Sequence, residues 1–382
     1  MWTRDEELYL QGVRQHLHQY PELSGQEKQT QAFLKKQCEG LPGLSIQEIA
    51  GTGLLATLDS GKAGPCILIR GDIDALPIQE INDFIHRSET DGVSHKCGHD
   101  GHATVLLGLV RLWTEKGLEK GCLHFLFQPA EEDGRGAAGV MAEHTKISPQ
   151  PDKVYAFHNL PGYPLHQVVC RPGSFTAAAD SILLELNGKT SHAAEPELGL
   201  NPALAMAEII QAYQNLMIPD PANPSFQLLT PIYATMGEKS YGVSAGHASL
   251  HYTLRTWSNE VMASLKSHCE SLAKQAADRH GLQLQLSYTE SFFSNQNLPE
   301  AVKRIEAAAH SLSLKYEERP YPFKWGEDFG LLSQAYGGAM FGIGSGEDCP
   351  ALHNPDYDFP DDIIETGVKM FDAILEGEFH AG

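Results

Sequence analysis

Residues 94–102 read SHKCGHDGH and place Cys97, three histidines and an aspartate within nine positions. Thiolate, imidazole and carboxylate are the donor types that suit zinc and neighbouring divalent ions. Cys97 and His99 are two apart, so in an extended loop both side chains would point to one side. A second cluster, FQPAEEDGRG at 127–136, sets Glu131 and Glu132 directly after the apolar run CLHFLF. Adjacent carboxylates at a strand end diverge, so one can ligate a cation while the other faces a water as general base. A solvated turn is the competing reading of paired glutamates, and the position after a buried strand disfavours it. In VYAFHNL at 154–160, His158 ends the apolar stretch and is followed by Asn159-Leu160, and His353 lies in ALHNPDYDFPDD at 351–362.

Cys97, His99, Glu132, His158 and His353 together make five donors on four segments of chain. A closed structural zinc site needs four. Five, with Glu131 left over, suit two divalent cations about 3.5–4 Å apart that hold a hydroxide between them. The chemistry implied is metal-assisted hydrolysis. The mixed sulfur, nitrogen and oxygen set admits zinc, manganese, cobalt or nickel.

These side chains need a scaffold whose strands end in loops. Residues 4–38 read as two helices broken at Tyr20-Pro21, with Leu10, Val13 and Leu17 at helical spacing. Apolar runs at 53–58, 66–69, 122–128 and 154–160 alternate with helical patterns at 103–115 and near 137–145, which indicates an α/β domain around a mixed, largely parallel sheet. Between about 177 and 289 the rhythm changes to strands at 181–188, near 226–234, at 247–254 and at 282–288, with helices at 202–217 and 259–279. That is a compact α+β unit of four strands and two helices. Helix and strand patterns then resume to the end of the chain. The expected organisation is a catalytic domain of 1–176 and 290–382 carrying an inserted domain of 177–289.

Composition excludes several partners. The 382 residues include 28 Lys+Arg against 49 Asp+Glu, a formal charge of −21. Nucleic acid and anionic membranes are bound through an excess of basic residues, so neither is expected. No run approaches the ~20 apolar residues that span a bilayer, and MWTRDEELYL lacks a basic segment followed by an apolar one. The seven cysteines are odd in number and widely spaced, as fits reduced thiols. A cytoplasmic protein is expected.

The ordered motifs LHQYPELSGQE (17–27), RGDIDALPI (70–78), HKCGHDGH (95–102), FQPAEE (127–132), FHNLPG (157–162), GKTSHAAEP (188–196), GEDF (326–329) and LHNPDYDF (352–359) run along nearly the whole chain. Together they resemble the dimetal aminoacylase and carboxypeptidase family, in its amidohydrolase branch of hippurate hydrolases, auxin-conjugate hydrolases and N-acetyldiaminopimelate deacetylases. The resemblance implies that Cys97 bridges two metals, with His99 and His158 completing one site and Glu132 and His353 the other. Glu131 would be the general base. His192 would reach an active site, commonly the neighbouring subunit's, to stabilise the oxyanion, and Arg255 would pair with a substrate carboxylate. Asp72 and Asp74 would support ligands rather than bind metal. The inserted domain would form a homodimer. The implied activity is amide hydrolysis of N-acyl amino acids, with a dipeptidase or carboxypeptidase as the alternative and a non-catalytic metal-binding regulatory protein as a further one. Relatives usually carry an Asn-Val-Ile-Pro-like segment about a dozen residues before the arginine, whereas Gly242 and Ala245 stand here where its Asn and Pro would be.

Overall fold

A computed structural model describes residues 3–380. The described residues form two compact units: residues 3–175, 295–320 and 328–380 make the larger, and residues 176–294 and 321–327 the smaller.

The larger unit opens with helices α1 (Arg4–Gln19) and α2 (Lys28–Cys38) and continues through strands β1 (Leu44–Ile49), β2 (Gly53–Asp59) and β3 (Cys66–Asp72). Helix α3 (His99–Lys116) crosses to β4 (Cys122–Gln128), and β5 (Lys153–Leu160) and β6 (Val168–Cys170) follow. With strands Tyr316–Glu318 and Gly338–Gly344 these build one eight-stranded sheet. At its centre β4, β3, β5 and Gly338–Gly344 are parallel neighbours in that order, while β1 and β2 add antiparallel at one side. Every residue of β3 and β4 is buried. Ile67 and Ile69, Phe125 and Phe127, and Leu54 and Ala56 join one core cluster with α1, α3 and helix Asp362–His380. The alternate positions Leu68, Leu126 and Leu55 are as completely buried. Both faces are therefore covered, and the continuous apolar runs follow from that. Parallel strands end on the same side, so Asp72, Gln128, Leu160 and Gly344 all close at one rim, where loops gather ligand groups.

The smaller unit holds a four-stranded antiparallel sheet in the order Gln227–Met236, His247–Thr256, Ala178–Asn187, Gln283–Phe292. Ile182, Leu184 and Leu186 pack with Leu250, Leu254, Ile209, Tyr213 and Leu265 from the neighbouring strand and from helices Ala203–Asn215 and Asn259–Arg279. Segment 321–327 groups with this unit, although its sequence position suggests the larger one. Ala177 N donates to Phe323 O (2.9 Å) and Trp325 O (3.2 Å), so backbone pairing decides the matter. β1 carries no sequence signal, because its burial alternates weakly at the sheet edge. Among the described residues no helix is long and apolar enough to cross a membrane.

A buried ionic network lies under the start of α3. His18 Nδ1 meets Asp100 Oδ2 at 2.7 Å and its Nε2 meets Glu80 Oε1 at 3.0 Å. Lys96 donates to Glu80 and to Tyr357 O (2.7 Å), and Arg14 donates to Asp358 (2.8 Å) and Asp361 (2.7 Å). Burial disfavours a charged His18, yet its bonds to Asp100 and Glu80 prevail and lift its pKa to about 9. Burial likewise opposes a charged Glu80, while bonds from His18 and Lys96 bring its pKa down to about 2.

Two predictions follow from this packing. Gly12 in α1 has no heavy atom within 4 Å of an added Cβ, whereas at Gly108 in α3 one would stand 2.8 Å from Val368 Cγ2 and 2.9 Å from Leu10 Cδ1. Gly12→Ala is expected to stabilise by up to ~1 kcal/mol and Gly108→Ala to cost about 1–3 kcal/mol, opposite shifts that thermal melts read directly. The ionic network gives a pH signature. A histidine whose folded pKa is raised stabilises fully below its unfolded value and loses that contribution as pH rises through the folded one. A depressed glutamate stabilises above its unfolded value and fails as pH falls through the folded one. His18 thus gives most below pH 6.5 and fades towards pH 9, and Glu80 gives most above 4.5 and fades towards pH 2. Unfolding measured between pH 6.5 and 9 should show a steeper alkaline loss for wild type than for His18→Asn.

Candidate dinuclear metal centre

The rim of the parallel sheet collects all six residues singled out for metal binding and base catalysis. Cys97 and His99 precede and open α3, but not by way of an extended loop. Gly98 stands between them at φ 97°, and a Cβ there would lie 2.6 Å from Asn159 Oδ1. Only glycine meets both conditions. His99 is then the first residue of the helix rather than part of the loop ahead of it. Glu131 and Glu132 follow β4 after Ala130, which is held at φ 52° with its N–H on Glu27 Oε1 (2.8 Å). His158 sits near the end of β5, and His353 lies on a loop after Gly338–Gly344 at φ 66°, its N–H on Lys96 O (2.7 Å). Two non-glycine residues in the left-handed region at one site mark a backbone set by the needs of its side chains.

The donor atoms converge. Cys97 Sγ lies 3.6 Å from His158 Nε2. His99 Nε2 lies 3.8 Å from Glu132 Oε1 and 3.9 Å from Glu131 Oε2, and His353 Nε2 lies 3.6 Å from Glu132 Oε2. Donor atoms of Cys97, His99 and His158 fall within 4.8 Å of one another, and so do those of Cys97, Glu132 and His353. Cys97 is common to both triads. His192 and Arg255 belong to the smaller unit. His192 is exposed on a two-residue ladder with Val243, and its Nδ1 accepts from Ala194 N at 3.0 Å, so Nε2 carries the proton. Arg255 donates to Lys324 O at 2.7 Å. Gly242, at the departure from the family pattern, accepts from Ala193 N beside His192.

Whether these residues fit cations can be judged from what they lack. His99 Nε2 and Glu132 Oε1 are buried with no hydrogen-bond partner. At 3.8 Å they are too far apart to bond each other, and each is left facing the donor cluster. Their orientation is fixed from behind. His99 Nδ1 meets Asp74 O at 3.0 Å and Asp74 Oδ1 at 3.2 Å, so the proton sits there and Nε2 presents its lone pair to the site. His158 Nδ1 likewise meets Asn159 O at 2.9 Å, leaving Nε2 towards Cys97. Asp74 also accepts from Glu132 N (3.0 Å) and Ser24 Oγ (2.6 Å). Asp72 binds His102 Nδ1 (2.6 Å) and Arg70. Arg70 reaches Asp328 (2.8 Å), whose N–H rests on Glu131 Oε1 (3.3 Å). His102, Asn159, Arg70 and Asp328 were not legible as parts of the site, because their types alone signal no single role.

The electrostatics point the same way. Burial, reinforced by Glu132 and Glu131, pushes the Cys97 thiol well above its ordinary range. Burial also pushes Glu132 up to about 8, with Asp74 adding to the effect. For His99 burial works against the charged ring, and the carboxylates of Asp72, Asp74 and Glu132 overcome it to raise its pKa to about 10. Burial first and His102 second hold His158 well below its ordinary value. Protons must neutralise this cluster unless cations do.

Known proteins complete the assignment. Residues 68–377 match the pattern of Peptidase family M20/M25/M40. The N-acetyl-L-cysteine deacetylase of Bacillus subtilis (strain 168) is 32% identical over 372 residues, 96% of this chain and 88% of that protein. The N-acetyldiaminopimelate deacetylase of Bacillus pumilus (strain SAFR-032) is 29% identical over 365 residues, 95% of this chain and 96% of that protein. Among solved structures, the Bacillus subtilis YXEP protein, a dinuclear metal binding peptidase from the M20 family, superposes with a TM-score of 0.84 at 26% identity, covering 99% of this chain and 100% of that one. The chain therefore belongs to peptidase family M20/M25/M40 and is a metal-dependent hydrolase built around a site for two divalent cations.

Proposed function

We propose that the protein hydrolyses the amide bond of small N-acylated amino acids, releasing a carboxylic acid and a free amino acid, as the names of its deacetylase relatives suggest. The observation that carries this reading is Glu131, a buried carboxylate beside the donor cluster with Oε2 3.9 Å from His99 Nε2. A regulatory or purely structural centre has no use for a base in that position. Cys97, His99 and His158 would hold one cation, and Cys97, Glu132 and His353 the other, a division that the two triads support. Two cations so held would polarise the scissile carbonyl and make water acidic enough to attack near neutral pH.

Glu131 takes the proton of the attacking water and returns it to the leaving nitrogen. Its Oε1 rests on the backbone N–H of Asp328, which orients the carboxylate during both transfers. His192, with its proton on Nε2, is a donor for the developing oxyanion. Arg255 is the partner for the substrate carboxylate. Its strand pairs Arg255 with Ala179 and His247 with Asn187, so Arg255 and the loop bearing His192 stand at opposite ends of that sheet, eight residues or roughly 26 Å apart. One small substrate cannot touch both from a single copy. This supports a homodimer in which His192 serves the neighbouring copy's site. Edge strand Gln227–Met236 favours the same assembly through the exposed side chains of Ile232, Tyr233 and Met236. The all-free cysteines fit a reducing, cytoplasmic setting.

Glu131→Gln is expected to lower kcat by roughly 10²–10⁴-fold while retaining two cations per chain, checked by turnover and metal analysis on one sample. Unchanged turnover would remove Glu131 as the base. Acetyl-, benzoyl- and aminoacyl-amino acids, assayed side by side, separate amidohydrolase from dipeptidase activity. Mixing inactive Glu131→Gln and His192→Ala chains should restore activity through hybrid dimers, since one site of each hybrid has both groups intact. Absence of any restoration in hybrids verified by mass would confine each site to its own chain.

A further inference from the structure

At the opposite end of the parallel strands lies a second cluster of reactive groups. Cys66 opens β3 and Cys122 opens β4, and the two are direct partners across the parallel ladder. Their sulfurs and a ring nitrogen of His124 all fall within 4.8 Å of one another, and all three residues are buried. The strands run seven residues, ~20 Å, before the hydrolytic site begins, so neither thiol takes part in it.

Three such donors could suggest another metal site, but the ring of His124 is already committed. Its Nε2 lies 2.8 Å from Pro149 O, which can only accept, so Nε2 carries the proton. Its Nδ1 lies 2.8 Å from Thr57 Oγ1, which donates to it. No nitrogen lone pair is left for a cation. The same N–H also faces Cys122 Sγ at 3.6 Å, and the one proton of the Cys66 thiol lies between Pro149 O, at 3.5 Å, and the neighbouring Cys122 sulfur. One sulfur is thus placed to accept hydrogen bonds as a thiolate, and the other is held protonated. The acidities agree: the hydrogen bond from Cys66, then that from His124, draws Cys122 down against the opposing effects of burial and Asp59, while Cys66 is pushed up.

We propose that Cys66 and Cys122 form a thiol pair that a peroxide converts reversibly into a cross-strand disulfide. Neighbouring strands stand roughly 4.7–4.9 Å apart, within the Cα separations of about 4.4–6.8 Å that a disulfide accepts. The Cys122 thiolate attacks one oxygen of hydrogen peroxide, breaking the O–O bond, forming a sulfenic acid and expelling hydroxide, which takes a proton from solvent. The Cys66 sulfur then displaces the hydroxyl of that sulfenic acid, forming the S–S bond, and its own proton leaves with the hydroxide as water. Two thiols and one peroxide give one disulfide and two waters. The nucleophile is Cys122 and the resolving thiol Cys66, in keeping with their different partners.

The test treats full-length, metal-loaded protein with equimolar hydrogen peroxide, blocks remaining thiols by alkylation and maps the peptides. The expected result is loss of two of the seven free thiols, recovered as a Cys66–Cys122 linked peptide that dithiothreitol reverses. In Cys66→Ser the sulfenic acid on Cys122 should persist and be trapped by dimedone, and in Cys122→Ser the Cys66 thiol should remain alkylatable. The proposal is overturned if no linked peptide forms, if Cys66 oxidises as fast without Cys122, or if wild type binds a third zinc ion that Cys122→Ser loses.

Discussion

Everything at the rim of the larger sheet depends on one electrostatic constraint. Asp72, Asp74, Glu131 and Glu132 converge on His99 in a space nearly closed to water. Arg70 and the histidines hold Asp72 and Asp74 ionised, while burial beside that charge makes Glu132 resist ionisation, and without cations the cluster holds protons on Cys97, Glu132 and His99. Divalent ions would balance Glu132, with which no Lys or Arg side chain among the described residues forms an ion pair. Arg70 is turned to Asp72 and Asp328, and Lys96 to Glu80 and Tyr357. The protein's own positive charges brace the scaffold and leave the donors free. The overall charge of −21 does not by itself draw an anionic substrate.

The fold serves that constraint by holding donors in place before any ion arrives. β3, β4 and β5 end at one rim, and each hands over its donors through backbone that is fixed from behind. Gly98 turns the chain between Cys97 and His99, Glu27 pins the amide of Ala130 ahead of Glu131, and Lys96 O holds the amide of His353. The buried ion pairs of His18, Asp100, Glu80 and Lys96 lock the first turn of α3 to the loop around Tyr357. Such pairs fix geometry more than they add stability, since their desolvation is costly.

That Cys97, His99, Glu131, Glu132, His158 and His353 would gather at one place was legible in the sequence, because their types are rare together and several of them follow apolar runs that read as strands. The expectation of an inserted unit rested on a changed order of strands and helices between about 177 and 289. Other features depend on contacts between distant segments. Nothing local in TyrProPheLysTrpGlyGlu at 321–327 announces backbone pairing with Ala177. The start of α3 at His99 rests on Gly98 and its close approach to Asn159, sixty residues on. His102 looks like a ligand by type, and only its bond to Asp72 shows a bracing role. Cys66 and Cys122 look unremarkable 56 residues apart, until the parallel register sets them side by side.

The claim that cations replace protons as the counter-charge of this cluster is tested most directly by titrating metal-free protein with zinc or manganese. Calorimetry in two buffers of different ionisation heat counts ions and protons together. Two ions bound per chain, with net proton release near neutral pH that falls in Cys97→Ser, is the predicted result. A single ion per chain, or two bound with no proton released, would contradict it.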